Sequence, residues 1–283
     1  MEILYEDVDI VVVDKPAGVI VHPAPGHETG ALTDELVRRY PMMAHVGSDE
    51  RPGVVHRLDI ETSGVMVFAL NRKAYLSLRR QFESHETVRK TYLAVVHGAP
   101  KEKSGTIDAP VGRDRLPAVT HWTVLAKRGG VSLVEFRIDT GRMHQIRIHA
   151  AALGAPVVGD RIYGDAKRDL RLRRRPERQL LHAVELSFLH PSTGKRVSFS
   201  CPPPEDVVYA VLTHHDATEE KDMTGIGQYN EFALNYVAQA KAQQANSTAH
   251  ESAIVADKAK RRTPNGFTWS LRRCGSCAGT NLD

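Results

Sequence analysis

The chain has 283 residues, 41% hydrophobic and 25% charged, with a formal net charge of +4. Such a composition can build a core without disulfides or metals, and its mild positive balance is weaker than that of a dedicated nucleic-acid-binding domain. No apolar run approaches the roughly 18 residues of a membrane span, and the acidic start MEILYEDVDI has no signal-peptide n-region. The three cysteines, Cys201, Cys274 and Cys277, are too few and odd in number for a disulfide framework, so a reducing compartment, the cytoplasm, is expected.

Residues 3–13 end in the apolar run Ile10-Val11-Val12-Val13, which predicts a buried strand. Lys15-Pro16-Ala17-Gly18 breaks it with turn chemistry, and Val19-Ile20-Val21 resumes an extended segment. The stretch 22–53 is rich in Pro and Gly around one helix near 31–39. Residues 65–70 read as a second buried strand. A helix follows near 72–84, with apolar Leu76 and Leu78 and basic Arg72, Lys73, Arg79 and Arg80. A strand is expected at 91–96, and a hairpin at 119–125 and 131–138 through Arg128-Gly129-Gly130. Residues 143–153 read as a helix closed by Gly154. A last hairpin covers 184–190 and 196–200, and Pro202-Pro203-Pro204 stops it before a helix near Glu205. Strands dominate and helices interleave irregularly, which predicts an α+β domain around a mostly antiparallel sheet. Residues 1–213 form this domain. Residues 214–283 read as a low-complexity, basic, flexible tail, poor in large apolar residues between 238 and 263.

Five constellations carry chemistry. Gly53-Val54-Val55-His56-Arg57-Leu58-Asp59-Ile60-Glu61-Thr62-Ser63-Gly64 is a polar loop before a buried strand, a common place for catalysis. Asp59 is a nucleophile or base there, with an arginine such as Arg57 near enough to hold it ionised. The same letters also describe an Asx turn beside a solvated arginine. Asp139-Thr140-Gly141-Arg142-Met143-His144-Gln145-Ile146-Arg147-Ile148-His149 ends a strand and opens a helix whose first N–H groups could seat a phosphate. His144 and Arg147 share a face there, and Arg142, Arg147 and His149 add donors. The alternative is a solvated cationic helix start, and no spacing completes a metal set with His144 and His149.

The span 161–178 holds eight Lys/Arg, among them Arg161, Lys167, Arg168 and Arg171, against three acidic residues. It is either a footprint for phosphate backbones or a solvated charged surface. Tyr92 stands in an apolar strand, either as core or as a ring for a base to stack on. Cys274-Gly275-Ser276-Cys277 is a lone CxxC, half a zinc site at most.

Taken in order, these blocks resemble the RluA/RluD-type family of RNA pseudouridine synthases. DIVVVDKPAGVIVHP (9–23) is similar to the family's opening block. His56-Arg57-Leu58-Asp59 with Thr62-Ser63-Gly64 matches its catalytic loop, and KTYLAVVHG (90–98) its tyrosine block. TGRMHQIRIH (140–149), with Gly154, Pro156, Gly159-Asp160 and Tyr163-Gly164, matches the third. Leu181-His182-Ala183 and the Pro191 to Gly194 turn close a resemblance that covers about 3–213. It implies a cofactor-independent isomerase that breaks the N1–C1′ bond of a uridine in structured RNA, rotates the uracil and rejoins it through C5. Asp59 would be the catalytic carboxylate. Arg147 would pair with it, Tyr92 would stack on the base and assist proton transfer, and Arg57 would fill the gap left by the flipped uridine. His56, Arg142, His144, Arg161, Lys167, Arg168 and Arg171 would hold the RNA. No metal or nicotinamide is needed, and a monomer acting on ribosomal or transfer RNA is implied.

The sequence departs from the family in three places. The opening block begins almost at Met1, where ribosomal members often carry a preceding S4-like domain, so transfer RNA stays open. Glu61 stands where aspartate is more common. The tail, with Lys258, Lys260, Arg261, Arg262, Arg272 and Arg273, has no counterpart and is read either as an auxiliary RNA contact or as low complexity. Two other classes compete: a non-catalytic RNA-binding factor, which has no use for a carboxylate in a phosphate-rich groove, and a nucleosidase, which needs two flanking acidic groups.

Overall fold

The computed structural model describes residues 1–212. The expected tail, with Cys274, Cys277 and its basic residues, lies outside the described residues.

The expected strand 3–13 is a hairpin, β1 (Glu2–Glu6) and β2 (Ile10–Lys15). The Asp7 carboxylate makes the turn by accepting the N–H groups of Asp9 and Ile10 at 2.8 and 2.9 Å, an Asx device that overrides the apolar run. The segment 19–21 joins no strand. Instead the carbonyls of Ile20 and Val21 accept the N–H groups of Leu32 and Thr33 at the start of α1 (Leu32–Arg39), which satisfies two donors that the helix itself cannot. A 3-10 turn (Pro41–His45) and a two-residue pair, β3 (Gly47–Ser48) and β4 (Arg51–Pro52), lead to β5 (Ser63–Ala69). α2 (Arg72–Ser84) is capped by the Asn71 side chain and buries Ala74, Leu78 and Phe82 at intervals of four. Apolar Leu76 falls half a turn away from that face and is exposed.

β6 (Arg89–His97), β7 (Ser104–Asp108), β8 (Val119–Arg128) and β9 (Val131–Ile138) follow. β7 had no sequence signal, because a half-exposed polar edge strand carries no apolar alternation. α3 (Gln145–Ala152), α4 (Ala166–Asp169), β10 (Leu181–Leu189), β11 (Arg196–Ser200) and α5 (Glu205–Leu212) complete the described chain. The sheet order is β1-β2-β5-β10-β6-β9-β8-β7, with β11 beside β10. All neighbours are antiparallel except β5 and β10, which run parallel at Ser63/His182 and Gly64/Ala183. The expected α+β fold with a mostly antiparallel sheet is what forms.

Both faces of the sheet are covered, which is why its central strands read as unbroken apolar runs. Val11, Val13, Met66, Phe68, Tyr92 and Ala94 point to the face roofed by α1 and α3. Their neighbours Ile10, Val12, Val65 and Val67 point to the face under α2, and Leu93 and Val95 to that under α5. The period of two therefore sets Tyr92 on the side where α3 lies.

The parallel junction places the loop before β5 beside the start of β10. It works only because Gly64, at φ 121°, has no side chain: a Cβ there would lie 2.2 Å from the carbonyl oxygen of Ala183. Gly18 also has a positive φ, 82°, but faces open space. Gly64→Ala should therefore cost at least about 3 kcal/mol, a fall of roughly 6–12 °C in Tm, against about 1 kcal/mol for Gly18→Ala. Thermal denaturation of the two variants checks this, and equal shifts would contradict the packing argument.

Candidate active site

Asp59 sits in the loop between β4 and β5, its side chain 28% exposed. Four long side chains hold that loop. Lys15 is wholly buried, and its ammonium donates to the carbonyls of Pro16, Val19 and Ile60 at 2.9, 2.7 and 2.9 Å. Burial pushes its pKa down to about 8, but all three N–H bonds are used. Arg178 Nη1 donates to the carbonyl of Glu61 at 3.0 Å. The Gln179 amide donates to Thr62 Oγ1 at 2.8 Å and to Asp59 Oδ2 at 3.4 Å. Leu58, next to Asp59, is anchored in the core.

Arg147 reaches the same carboxylate from α3. Its Nη1 donates to Asp59 Oδ2 at 2.9 Å, and its Nε and Nη2 fork onto Asp160 at 2.6 and 2.8 Å. The guanidinium is 6% exposed and Asp160 is 0%. Asp160 Oδ1 also accepts the N–H groups of Ile162 and Tyr163. Burial alone would raise the Asp160 carboxyl, but the Arg147 bonds and these two N–H groups bring it below the usual carboxylate range. The ring of Tyr163 lies 5.3 Å from the guanidinium. Its hydroxyl is 3.2 Å from His144 Nδ1, and His144 Nε2 is 3.9 Å from Asp59 Oδ2. His144 itself adopts a left-handed φ of 56°, so α3 begins at Gln145 rather than 143. The N–H groups of Arg142 and Gln145, expected to seat a phosphate, are already bonded to the Gln145 side chain and the Arg142 carbonyl.

Two cavities meet at this carboxylate. A small one, about 70 Å³, is lined by Tyr92, Ile138 and Leu181 as well as Asp59 and Arg147. A larger one, about 520 Å³, is lined by His22, His27, Arg57 and Arg161 around the same Asp59. The smaller, a slot, sets apolar Leu58, Tyr92, Ile138, Ile146 and Leu181 against the charged Arg57, Asp59, Arg142 and Arg147; the larger, a groove, sets Ile20, Val21, Leu58 and Ile60 among four arginines and two carboxylates, Asp59 and Glu61. Burial, then the Asp59 carboxylate, push the Tyr92 phenol above its ordinary range, so it stays protonated at neutral pH. In that state it can donate a hydrogen bond.

The residues expected at the site divide into two groups. Asp59, Arg147, Tyr92, Arg57, Arg142 and His144 all line the slot, and Arg161 lines the groove. Lys167 and Arg168 are exposed on α4 and Arg171 just after it. That segment is pinned by Asp169, whose Oδ1 lies 2.7 Å from His97 Nε2 and accepts the Gly159 N–H at 3.1 Å.

Three expectations are corrected. His56 does not present its ring to a ligand. The ring stacks on Phe82 at 4.5 Å, Nε2 accepts the Val67 N–H, and burial pushes its pKa down to about 3. His149 is buried between Thr120 Oγ1 and the carbonyl of Ala109. Arg178, counted with the basic span, is buried and forks onto Asp206 at 2.7 and 2.8 Å. The sequence reading assigned no role to Asp160, Gln179, Tyr163, Lys15 or His22. Lys15, His22, Asp160 and Tyr163 stood inside matched blocks, the only signal for them, and Gln179 had none. Among the described residues one group has metal-ligand types in reach, Asp7, Asp9 and His190. Its oxygens already accept backbone N–H groups, the Tyr5 hydroxyl and the Asn71 amide, and His190 pairs with Asp7 at 2.8 Å.

Comparison with known proteins gives the family. Residues 9–152 match the family model described as RNA pseudouridylate synthase. A Chloroflexus aurantiacus protein described as an RNA pseudouridine synthase is 46% identical over 206 residues, 69% of this chain and 63% of that one. The Bacillus subtilis protein YlyB, like the Chloroflexus one described as an uncharacterized RNA pseudouridine synthase, is 43% identical over 73% of this chain and 70% of its own. The ribosomal large subunit pseudouridine synthase D of Xanthomonas campestris is also 43% identical, over 73% and 67%. The solved structure of human RNA pseudouridylate synthase domain containing 4 superposes with a TM-score of 0.62 at 27% identity, covering 74% of this chain and 91% of that one. The fold and site thus define an RNA pseudouridylate synthase domain, and the chain belongs to that family.

Asp160→Asn keeps the shape of the fork and removes its buried charge. It should destabilise the protein by about 3 kcal/mol. Because the folded carboxyl lies below its unfolded value near 3.9, its contribution is present above that pH and lost as pH falls through the lower folded value. Denaturation measured from pH 7 down to 3 should therefore fall less steeply below pH 4 in Asp160→Asn than in wild type. Parallel curves would remove Asp160 as the charge that holds Arg147.

Proposed function

We propose that this chain is an RNA pseudouridine synthase, an isomerase acting on chosen uridines of large-subunit ribosomal RNA or transfer RNA, with Asp59 as its catalytic carboxylate. The observation that carries this is the position of Asp59. It is fixed by a buried arginine at the junction of a small slot walled by Tyr92, Ile138 and Leu181 and a wider groove whose arginines outnumber its carboxylates. The slot takes the uracil, with Tyr92 beside its face and Asp59 at the sugar–base junction. The N1–C1′ bond breaks, the uracil turns, and C1′ bonds to C5. C5 then gives up its proton and N1 gains one, so nothing is oxidised and no cofactor is called for.

Arg57 fills the gap left by the flipped uridine, which costs a few kcal/mol to extrude. Arg142 and His144 flank the slot, and Arg161, Lys167, Arg168 and Arg171 meet phosphates of the flanking strand, a salt-dependent contribution. We take residues 1–213 as the catalytic domain, a monomer, and the cytoplasm as its compartment on the strength of its cysteine usage. The chain covers 63%, 70% and 67% of the three relatives named above, and their descriptions support the reaction class.

The test is tritium release from RNA labelled at uracil C5, with total RNA from a strain lacking the enzyme as substrate. Wild type should release tritium, and Asp59→Asn should release none while its RNA affinity stays within a few-fold. Arg147→Ala should lower turnover far more than affinity, by about a hundredfold or more. Tight RNA binding without release by wild type would instead favour a non-catalytic binding factor. A chain ending at residue 213 should keep its melting temperature and its turnover, and loss of both would make the later residues part of the domain.

A further inference from the structure

Among the described residues seven large apolar side chains are exposed: Val8, Met42, Leu76, Leu116, Met143, Ile162 and Leu170. Only two of them, Met143 and Ile162, line the cavity that holds Asp59. They are 61% and 65% exposed. They come from different segments, and each lies next to a residue of the site. Met143 precedes His144, whose φ is 56°. The N–H of Ile162 donates at 2.9 Å to Asp160, the carboxylate that forks with Arg147. These side chains are therefore presented at the rim by strained or bonded backbone and do not hang from a loose loop.

Their surroundings select the partner. Arg57, Arg147, Arg161 and Arg178 line this cavity against two carboxylates, Asp59 and Glu61, with His22 and His27 beside them, a net positive lining that suits a polyanion. On a nucleic acid the phosphates belong to such cations, and the apolar surface is the face of the bases. A methionine and an isoleucine in a phosphate-binding wall gain nothing from phosphate. Against bases they bury apolar area. Enzymes that take one nucleotide out of a stack leave its neighbours with an uncovered face, and apolar wedges are a general way of covering it.

We propose that Met143 and Ile162 form an apolar rim that packs against the bases adjoining the target uridine, so that this wall of the groove reads base surface as well as phosphate. The inference rests on the RNA-binding reading of the groove, and the test separates the two. The probes are an oligoadenylate of about twelve nucleotides, which the enzyme cannot convert and whose purines do not enter the uracil slot, and a ribose-phosphate oligomer of equal length without bases. Both are titrated by fluorescence anisotropy over a range of salt with the full chain.

Wild type should prefer the base-bearing oligomer by about tenfold. Met143→Ser combined with Ile162→Ser should reduce that preference to within about twofold and leave the slope of log affinity against log salt unchanged. Ile162→Trp, with a larger stacking surface, should increase the preference. Arg161→Ala should do the reverse of the double variant, lowering the slope by about 0.7 at constant preference. A double variant with the wild-type preference and an altered Arg161→Ala slope would overturn the rim and keep the groove. The rim would then have another occupant, with this chain's own residues beyond 212 the first to examine. An Arg161→Ala slope equal to wild type would overturn the groove reading and the rim with it.

Discussion

One buried guanidinium organises this site. Arg147 is shared between Asp160, which it grips with two nitrogens, and Asp59, which it meets with the third. A buried charge is tolerated only when paired and fully bonded, so the position of Arg147 dictates those of its partners. It also gives Asp59 a fixed counter-charge on one side while the other side opens into both cavities. The Asp160 fork makes this possible, because Asp160 can hold the arginine with no help from Asp59.

The rest of the fold brings those three residues together. Arg147 comes from α3, which packs on one face of the sheet through Ile146 and Ala150. Asp160 comes from the loop that carries Val158 into a ladder with Val95 and Leu180. Asp59 comes from the loop that enters β5, and β5 is seated next to β10 by the one close approach that Gly64 permits. Lys15, Arg178 and Gln179 then tie the loop to its surroundings through carbonyls and amides. The Asp59 loop has little regular structure of its own, so its shape depends on these long, buried, hydrogen-bonded side chains.

The way the expected residues divided has a physical logic. Where a segment has a period, its burial was legible: Tyr92 fell on the α3 face because a strand alternates, and α3 carried Arg147 inward because helix positions share faces. In the irregular loops no period tells inside from outside. His56 and Arg57 are adjacent, yet the first ring turns to Phe82 and the second side chain to the groove. Arg178 ends a run of exposed arginines and is itself buried against Asp206. Composition treats all eight cations of that run alike, and only the path of the chain distinguishes them.

By itself the sequence determined the class of fold and the order of most elements, because apolar periodicity is a local property. It also carried the family resemblance, through five blocks in fixed order. Tertiary structure alone decided that Asp160 is the second partner of Arg147, that Gln179 reaches Asp59 from 120 residues away, and that Met143 and Ile162 stand on one rim. Pairings of that kind depend on sheet register and on where each loop returns to the core. No local pattern encodes them, since they exist only when distant segments have packed.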